Sequence, residues 1–175
     1  VPTAGGIILD LQRMNKIISI NPTDMTAEVE AGVILEDLEN ILSKQGLMPG
    51  HDPYSVPIAT VAGTISTNGV GYRAGAHGSM GDQVVALEAV LPSGQVMKTR
   101  AVPNQSSGPS LKNLFIGSEG VFGVITKACI RVFRLPESQV FQSVAFNTFE
   151  QGFNAATEMI ALGVRPTFVD LTEEH

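Results

Sequence analysis

The sequence predicts an α+β fold, on three observations. Strand pairs stand around short polar turns, an amphipathic helix separates two of them, and the chain closes on a strand–helix–strand block. In chain order, "IILDL" (residues 7–11) follows Gly5 and Gly6 as a short apolar run, which predicts a buried strand. "KIISINPTDMTAEVEAGV" predicts two strands around Asn21, Pro22, Thr23 and Asp24, with Thr26, Glu28 and Glu30 alternating against Ala27, Val29 and Ala31. Over residues 35–45 the period changes to that of a helix. Leu35, Leu38, Ile41 and Leu42 share a stripe, Glu36, Asp37 and Glu39 lie opposite, and Gly46 supplies a stop. "GLMPGHDPYSVP" predicts a loop stiffened by Pro49, Pro53 and Pro57. A hairpin follows, its strands at 84–91 and 95–99 and its turn at Pro92, Ser93 and Gly94. "SLKNLFIGSEG" reads as a short helix or turn. "GVITKACIRVFRL" alternates, with Val124, Thr126, Ala128, Ile130 and Val132 on one face and Lys127, Cys129 and Arg131 on the other. In the closing block "VFQSVAFN" and "TFVDL" predict strands around a helix capped by Thr148, with Gln151 as capping-box partner. That helix carries Phe149, Phe153, Ala156 and Ile160 on one face and ends at Gly163.

With 175 residues, 43% hydrophobic and 16% charged, the chain holds one good core, or one domain and the start of another. A net charge of −6 with interspersed signs argues against nucleic acid as a partner, because phosphate neutralisation needs a basic face. It leaves room for one small anion held by backbone N–H groups. The single Cys129 excludes an internal disulfide framework and suits a reducing, cytoplasmic location. No apolar run approaches the roughly 20 residues of a bilayer span, and no basic-then-apolar leader is present, so no integral membrane association is expected. The chain opens without Met and inside a strand-like segment, which predicts a piece of a longer protein.

"ATVAGTISTNGVGYRAGAHG" carries almost no large side chain. Val61, Ile65, Val70 and Tyr72 are enough to anchor it, and a bare, anchored backbone can approach a ligand closely. Residues 61–68 suit a short helix whose first N–H groups point at an anion. "GSEGVFGVIT" has the same style, but Gly117, Gly120 and Gly123 precede a strand and miss the Rossmann spacing. A P-loop is absent. Together the two stretches point to a nucleotide-like ligand of unspecified identity.

"PIATVAGTISTNGVG", then "GSMGDQVVALEAVLPSGQV", then "GSEGVFGVITKACIRVFRLPE" resemble the FAD-linked oxidases that share the vanillyl-alcohol-oxidase (PCMH-type) flavin fold, which include D-lactate dehydrogenases, the glycolate oxidase flavin subunit and alkyldihydroxyacetonephosphate synthase. "GGIILDLQRMNKI" resembles the strand after that family's first phosphate loop, and "SVAFNTFEQGF" resembles the entry to its substrate domain, closest to the synthase branch. The resemblance implies a PCMH-type FAD-binding domain over residues 1–136, lacking its first phosphate loop, and the start of an α+β substrate domain over residues 137–175. It implies FAD as cofactor. Tyr54, Ser55, Val56, Pro57, Ile58, Ala59 and Thr60 would run along the flavin. Gly63 belongs to the same bed, and Thr67, Asn68, Gly69, Val70 and Gly71 would contact the isoalloxazine or the pyrophosphate. Glu119, Gly120, Val121, Phe122, Gly123, Val124 and Ile125 would hold the adenosine end through their backbone.

The parent enzyme would oxidise a 2-hydroxy acid such as D-lactate or glycolate by hydride transfer to FAD, and a homodimer is compatible with the family. The alternatives are a synthase-like flavoenzyme and a non-catalytic nucleotide-binding module. Neither catalytic residues nor metal ligands are assigned here, since the family's lie in its substrate domain, and this piece alone is expected to be inactive. His51 is expected to be solvated. His77 is expected to pack on the ligand or bond to Asp82. Glu119 either accepts a ribose hydroxyl or caps a turn, Arg73 is a candidate phosphate partner, and Glu28 and Glu30 read as exposed carboxylates of a hairpin. Cys129 reads as a strand residue and not a nucleophile.

Overall fold

The structure, a computed structural model, describes residues 5–102 and 106–173, so His175 lies outside it. Its centre is β6 (Val124–Arg134), an eleven-residue strand. β2 (Thr26–Glu30) and β4 (Val84–Val90) both pair with it antiparallel, and β1 (Ile17–Asn21) and β5 (Val96–Lys98) extend the sheet to the order β1-β2-β6-β4-β5. β3 (Leu47–Pro49) pairs with the far end of β6, where Met48 faces Phe133. Local chemistry makes both hairpins. Asn21 Oδ1 accepts from the Thr23 and Asp24 N–H groups (3.0 and 3.1 Å), and Gly94 takes the positive φ of +82° that the β4–β5 turn needs.

The alternation decides which face is buried. Ala27, Val29, Ala128, Ile130 and Val132 point into one cluster with α1 (Leu35–Ser43) and α2 (Val61–Ser66), where Leu35, Leu38, Leu42, Val61 and Ile65 are all buried. A fully buried leucine such as Leu38 contributes about 2 kcal/mol against exposure. Ile41, at the margin of the α1 stripe, stays partly exposed. Two one-turn helices, α3 (Ala74–His77) and α4 (Met80–Gln83), lead into β4, and a 3-10 turn at Leu111–Leu114 leads towards β6.

On the polar side of the sheet Lys98 Nζ lies 2.7 Å from Glu88 Oε2, Lys127 Nζ lies 3.6 Å from it, and Thr126 Oγ1 donates to Glu88 Oε1 at 2.8 Å. The Lys98 hydrogen bond holds the Glu88 carboxyl below its usual range. Partial burial opposes it, and Thr126 and Lys127 add to it. A depressed folded pKa contributes stability above the unfolded value that is lost as pH falls through the folded one. The urea midpoint of the complete protein is therefore expected to exceed that of its Glu88→Gln variant at neutral pH, and the two to converge as the pH falls through the folded pKa of Glu88.

Four expectations change. Residues 7–11 form no strand, and Ile7, Ile8 and Leu9 are exposed, because no neighbouring strand among the described residues offers them an edge. "VFQSVAFN" and "TFVDL" are likewise irregular, with Val140, Phe141, Phe168 and Val169 exposed. The predicted loop after Gly46 instead contains β3, whose three residues are all buried against β6. α5 (Phe149–Ala161) begins as expected, with the Gln151 N–H on Thr148 Oγ1 at 3.3 Å. Its Phe149, Phe153 and Ile160 are exposed, however, and its packed side is Gly152, facing Phe146 and Leu171. No helix among the described residues is long and apolar enough to cross a membrane.

Candidate cofactor site

The two glycine stretches meet. Gly117 N–H donates to Ile65 O (3.0 Å) and Glu119 N–H to Ser66 O (2.9 Å), so the "GSEG" turn is fastened to the C-terminal end of α2. Gly69, just beyond that end, is held from both sides: its N–H donates to Thr64 O (2.9 Å), and its carbonyl accepts from Met80 N–H (2.8 Å). Asn68 (φ +49°), Gly117 (+72°), Glu119 (+50°) and Gly120 (+87°) all occupy the left-handed region. Alternation of such residues with right-handed ones turns successive N–H groups towards one side, the geometry of an anion-binding concavity. Among the described residues, the N–H groups of Val70, Gly71, Gly120 and Phe122 have no protein acceptor.

The other end of α2 does not meet expectation. Its first N–H groups are already taken: Val61 donates to Val33 O (2.9 Å), Ala62 to Ala31 O (3.1 Å) and Gly63 to Thr60 Oγ1 (3.2 Å). A helix start whose donors are satisfied by protein has none left for an anion. The N–H groups left without a protein acceptor among the described residues lie instead in the loops beyond the C-terminal end of α2.

Segment 54–60 has a structural task of its own. The carbonyls of Val56 and Ala59 accept from the Glu36 and Leu35 N–H groups (3.3 and 2.9 Å), closing the start of α1. Thr60 caps α2, while Tyr54 and Ile58 are left facing outwards. Tyr54, Val70 and Gly71 come together with Pro53, Tyr72, Gly75, Phe168, Val169 and Asp170 around an open cavity of about 530 Å³. Ser55, Val56, Pro57, Ile58, Ala59, Thr60 and Gly63 do not line it. Thr67 is exposed and donates to Gly63 O (3.2 Å). Val121 and Phe122 are exposed beside Gly120, and Gly123 adopts φ +154° against Val90 O. Val124 and Ile125 already belong to β6, paired with Val90 and Ala89, and the Ile125 side chain is in the core.

Several single residues change role. Val61 and Ile65 anchor the glycine stretch as expected, but Val70 and Tyr72 face outwards. Tyr72 meets Phe168 edge to face at 5.5 Å, a contact between distant segments that no local signal marks. Arg73 is not free for phosphate: it lies 3.1 Å from Glu39 and 3.2 Å from Asp52 and donates to Pro49 O. His51 is buried, not solvated, and burial pushes its pKa down, against a smaller upward pull from Asp52. His77 stacks on Phe133 at 4.0 Å, and Asp82 instead accepts from Ser79 N–H and Oγ (2.8 and 2.7 Å). Burial also raises the Cys129 thiol pKa, consistent with an unreactive strand residue.

These residues fit FAD. Four N–H groups without a protein acceptor among the described residues, on a glycine-lined path, suit a pyrophosphate, and the exposed Tyr54, Val70, Val121 and Phe122 supply apolar surface for flat rings. Among known proteins, the FAD binding domain family profile matches residues 1–100. The FAD-linked oxidoreductase YgcU of Escherichia coli (strain K12) is 36% identical over 94% of this chain and 34% of its own length. The D-lactate dehydrogenase of Anaerostipes hadrus is 34% identical over 100% of this chain and 37% of its own. A solved alkyldihydroxyacetonephosphate synthase superposes with a TM-score of 0.79 at 31% identity, covering 91% of this chain and 28% of that one. The chain thus spans about a third of the length of the curated relatives it matches. By sequence profile and by fold alike, it belongs to the FAD-binding-domain family of the FAD-linked oxidoreductases, and its cofactor is FAD.

Proposed function

We propose that the complete protein is an FAD-dependent oxidoreductase acting on a 2-hydroxy acid such as D-lactate or glycolate. In it residues 1–136 are the cofactor domain and residues 137–175 open the substrate domain. The supporting observation is the convergence of both glycine stretches at one end of α2, where the Val70, Gly71, Gly120 and Phe122 N–H groups have no acceptor among the described residues. In this reading those N–H groups bind the pyrophosphate, and Val70 and Tyr54 pack against the ring system and exclude water from it. FAD supplies the hydride acceptor. The remaining residues of the 54–60 and 119–125 segments hold these contacts in register.

One observation favours a second reading. The synthase structure superposes over 91% of the chain, so a synthase-like flavoenzyme is the alternative. The purified complete protein is expected to be yellow. Its visible flavin band is expected to bleach on anaerobic addition of D-lactate or glycolate. A yellow protein that neither bleaches overturns the 2-hydroxy-acid reading in favour of the synthase-like one, and a colourless protein that takes up no added FAD overturns the site. A cytoplasmic location, which the lone cysteine suits, and a homodimer belong to the same proposal; fractionation and sedimentation check them.

A further inference from the structure

A second cavity, of about 330 Å³, shares no lining residue with the one beside Tyr54. Three cations line it from three separate stretches: Arg100 after β5, Lys112 in the 3-10 turn and Arg131 in β6. Asp82 is the sole carboxylate on that lining among the described residues. The cavity therefore carries an excess of two positive charges, in a chain whose net charge is −6. Asp82 is itself engaged, accepting from Ser79 N–H and Oγ. Among the described residues, neither Arg100, Lys112 nor Arg131 has a carboxylate within 4.0 Å. The ion pairs found there use Arg73, Lys98 and Lys127 instead.

Lys112 has a structural task. Its Nζ donates to the carbonyls of Val84 and Val85, both on the lining, and ties the 3-10 turn to the start of β4. Burial first, and the Arg131 charge second, push its ammonium below the usual lysine range. Holding like charges this close costs free energy, which a bound anion offsets. The tie accounts for Lys112 and leaves Arg100 and Arg131 without a task. Neutral polar groups complete the lining. Ser110 opens the 3-10 turn without a side-chain hydrogen bond, and Asn113 adds an amide, whereas the Thr99 hydroxyl is already engaged by Leu87.

We propose that this cavity binds the phosphate group of a small molecule, at a site separate from that of FAD. Charge favours phosphate over carboxylate. A phosphate monoester carries about 1.5–2 negative charges at neutral pH, which meets the excess on the lining, and a carboxylate carries one. Guanidinium groups suit it, because two of their N–H donors meet two phosphate oxygens in parallel. Size argues against a dinucleotide: about 330 Å³ stands at the lower end of the roughly 300–1,000 Å³ of ligand cavities. The site does not depend on the cofactor reading, since none of its lining residues is assigned to FAD.

The complete protein carries the test, with inorganic phosphate as the probe. Titration calorimetry against chloride of matched ionic strength is expected to show one site with a Kd of about 1 mM, and at least about tenfold weaker binding of acetate. Arg100→Gln and Arg131→Gln, both at exposed residues, are each expected to weaken phosphate binding about tenfold. Ser110→Asp adds a second carboxylate to the lining, and Asp opens a helical turn as well as Ser does. It is expected to abolish phosphate binding with an unchanged urea midpoint, which separates a lost site from a lost fold. Saturating FAD is expected to leave the phosphate affinity within about twofold, and vesicles containing phosphatidic acid are expected not to sediment the protein. Wild-type phosphate affinity in Ser110→Asp and in both arginine variants overturns the proposal, as does acetate binding equal to that of phosphate. Phosphate binding abolished by FAD would make the cavity part of the cofactor site and overturn its separateness. Sedimentation with the vesicles, without binding of free phosphate, would overturn the small-molecule assignment in favour of a lipid headgroup.

Discussion

Gly71→Ala is expected to destabilise the complete protein by about 3 kcal/mol and to abolish tight FAD retention. A Cβ at Gly71 would lie 2.7 Å from each of the backbone N, C and O atoms of Asp52. These atoms have nowhere to move. Asp52 O accepts from Tyr72 N–H at 2.9 Å, and the Asp52 carboxylate is held 3.2 Å from Arg73 Nε. The added methyl must therefore separate the 50–52 and 69–72 segments, and the second carries the Val70 and Gly71 N–H groups. Gly94→Ala is the control. Its φ is +82° with nothing within 4 Å, so it carries backbone strain alone, about 1 kcal/mol, and leaves the cofactor untouched. Urea melts and FAD titrations of both variants check this. Equal losses in the two, or undiminished FAD affinity in Gly71→Ala, would remove the argument that the glycine is absent of side chain for close approach.

How far the fold was legible follows from where each signal resides. The β1–β2 and β4–β5 hairpins could be read because Asn21 and Gly94 act on their own neighbours, and the β6 alternation because burial on one face needs only its own period. Residues 7–11, 140–147 and 167–171 were misread because an apolar run asks for burial without naming a partner. β3 was missed because three buried residues ending in Pro49 show no alternation. The site divides the same way. Each glycine stretch announces a bare backbone, yet their meeting at Ile65 and Ser66 is a tertiary fact. The end of α2 was chosen wrongly because the acceptors that occupy its first N–H groups, Val33 O and Ala31 O, lie some thirty residues earlier. His51 looked like a solvated loop residue because Gly69, whose missing side chain leaves room for the His51 ring, lies eighteen residues away in sequence.

Arg73→Ala is expected to cost about 2 kcal/mol, through the protein and not through the cofactor's phosphates. The guanidinium joins three elements: Glu39 on α1 at 3.1 Å, Asp52 after β3 at 3.2 Å, and the Pro49 carbonyl at 3.1 Å. Its side chain is 19% exposed and the two carboxylates 32% and 29%, so screening reduces the pairs without cancelling them. Lysine presents a point charge that cannot span three separated acceptors, and Arg73→Lys is expected to recover less than half of the loss. Glu39→Gln separates the two roles for Arg73. If the residue is a structural tie, Glu39→Gln destabilises the wild type and has little further effect in Arg73→Ala, a coupling of about 1 kcal/mol in the double-mutant cycle. If Arg73 instead served a phosphate, the cycle would close to zero, and FAD affinity rather than the urea midpoint would carry the whole effect of Arg73→Ala.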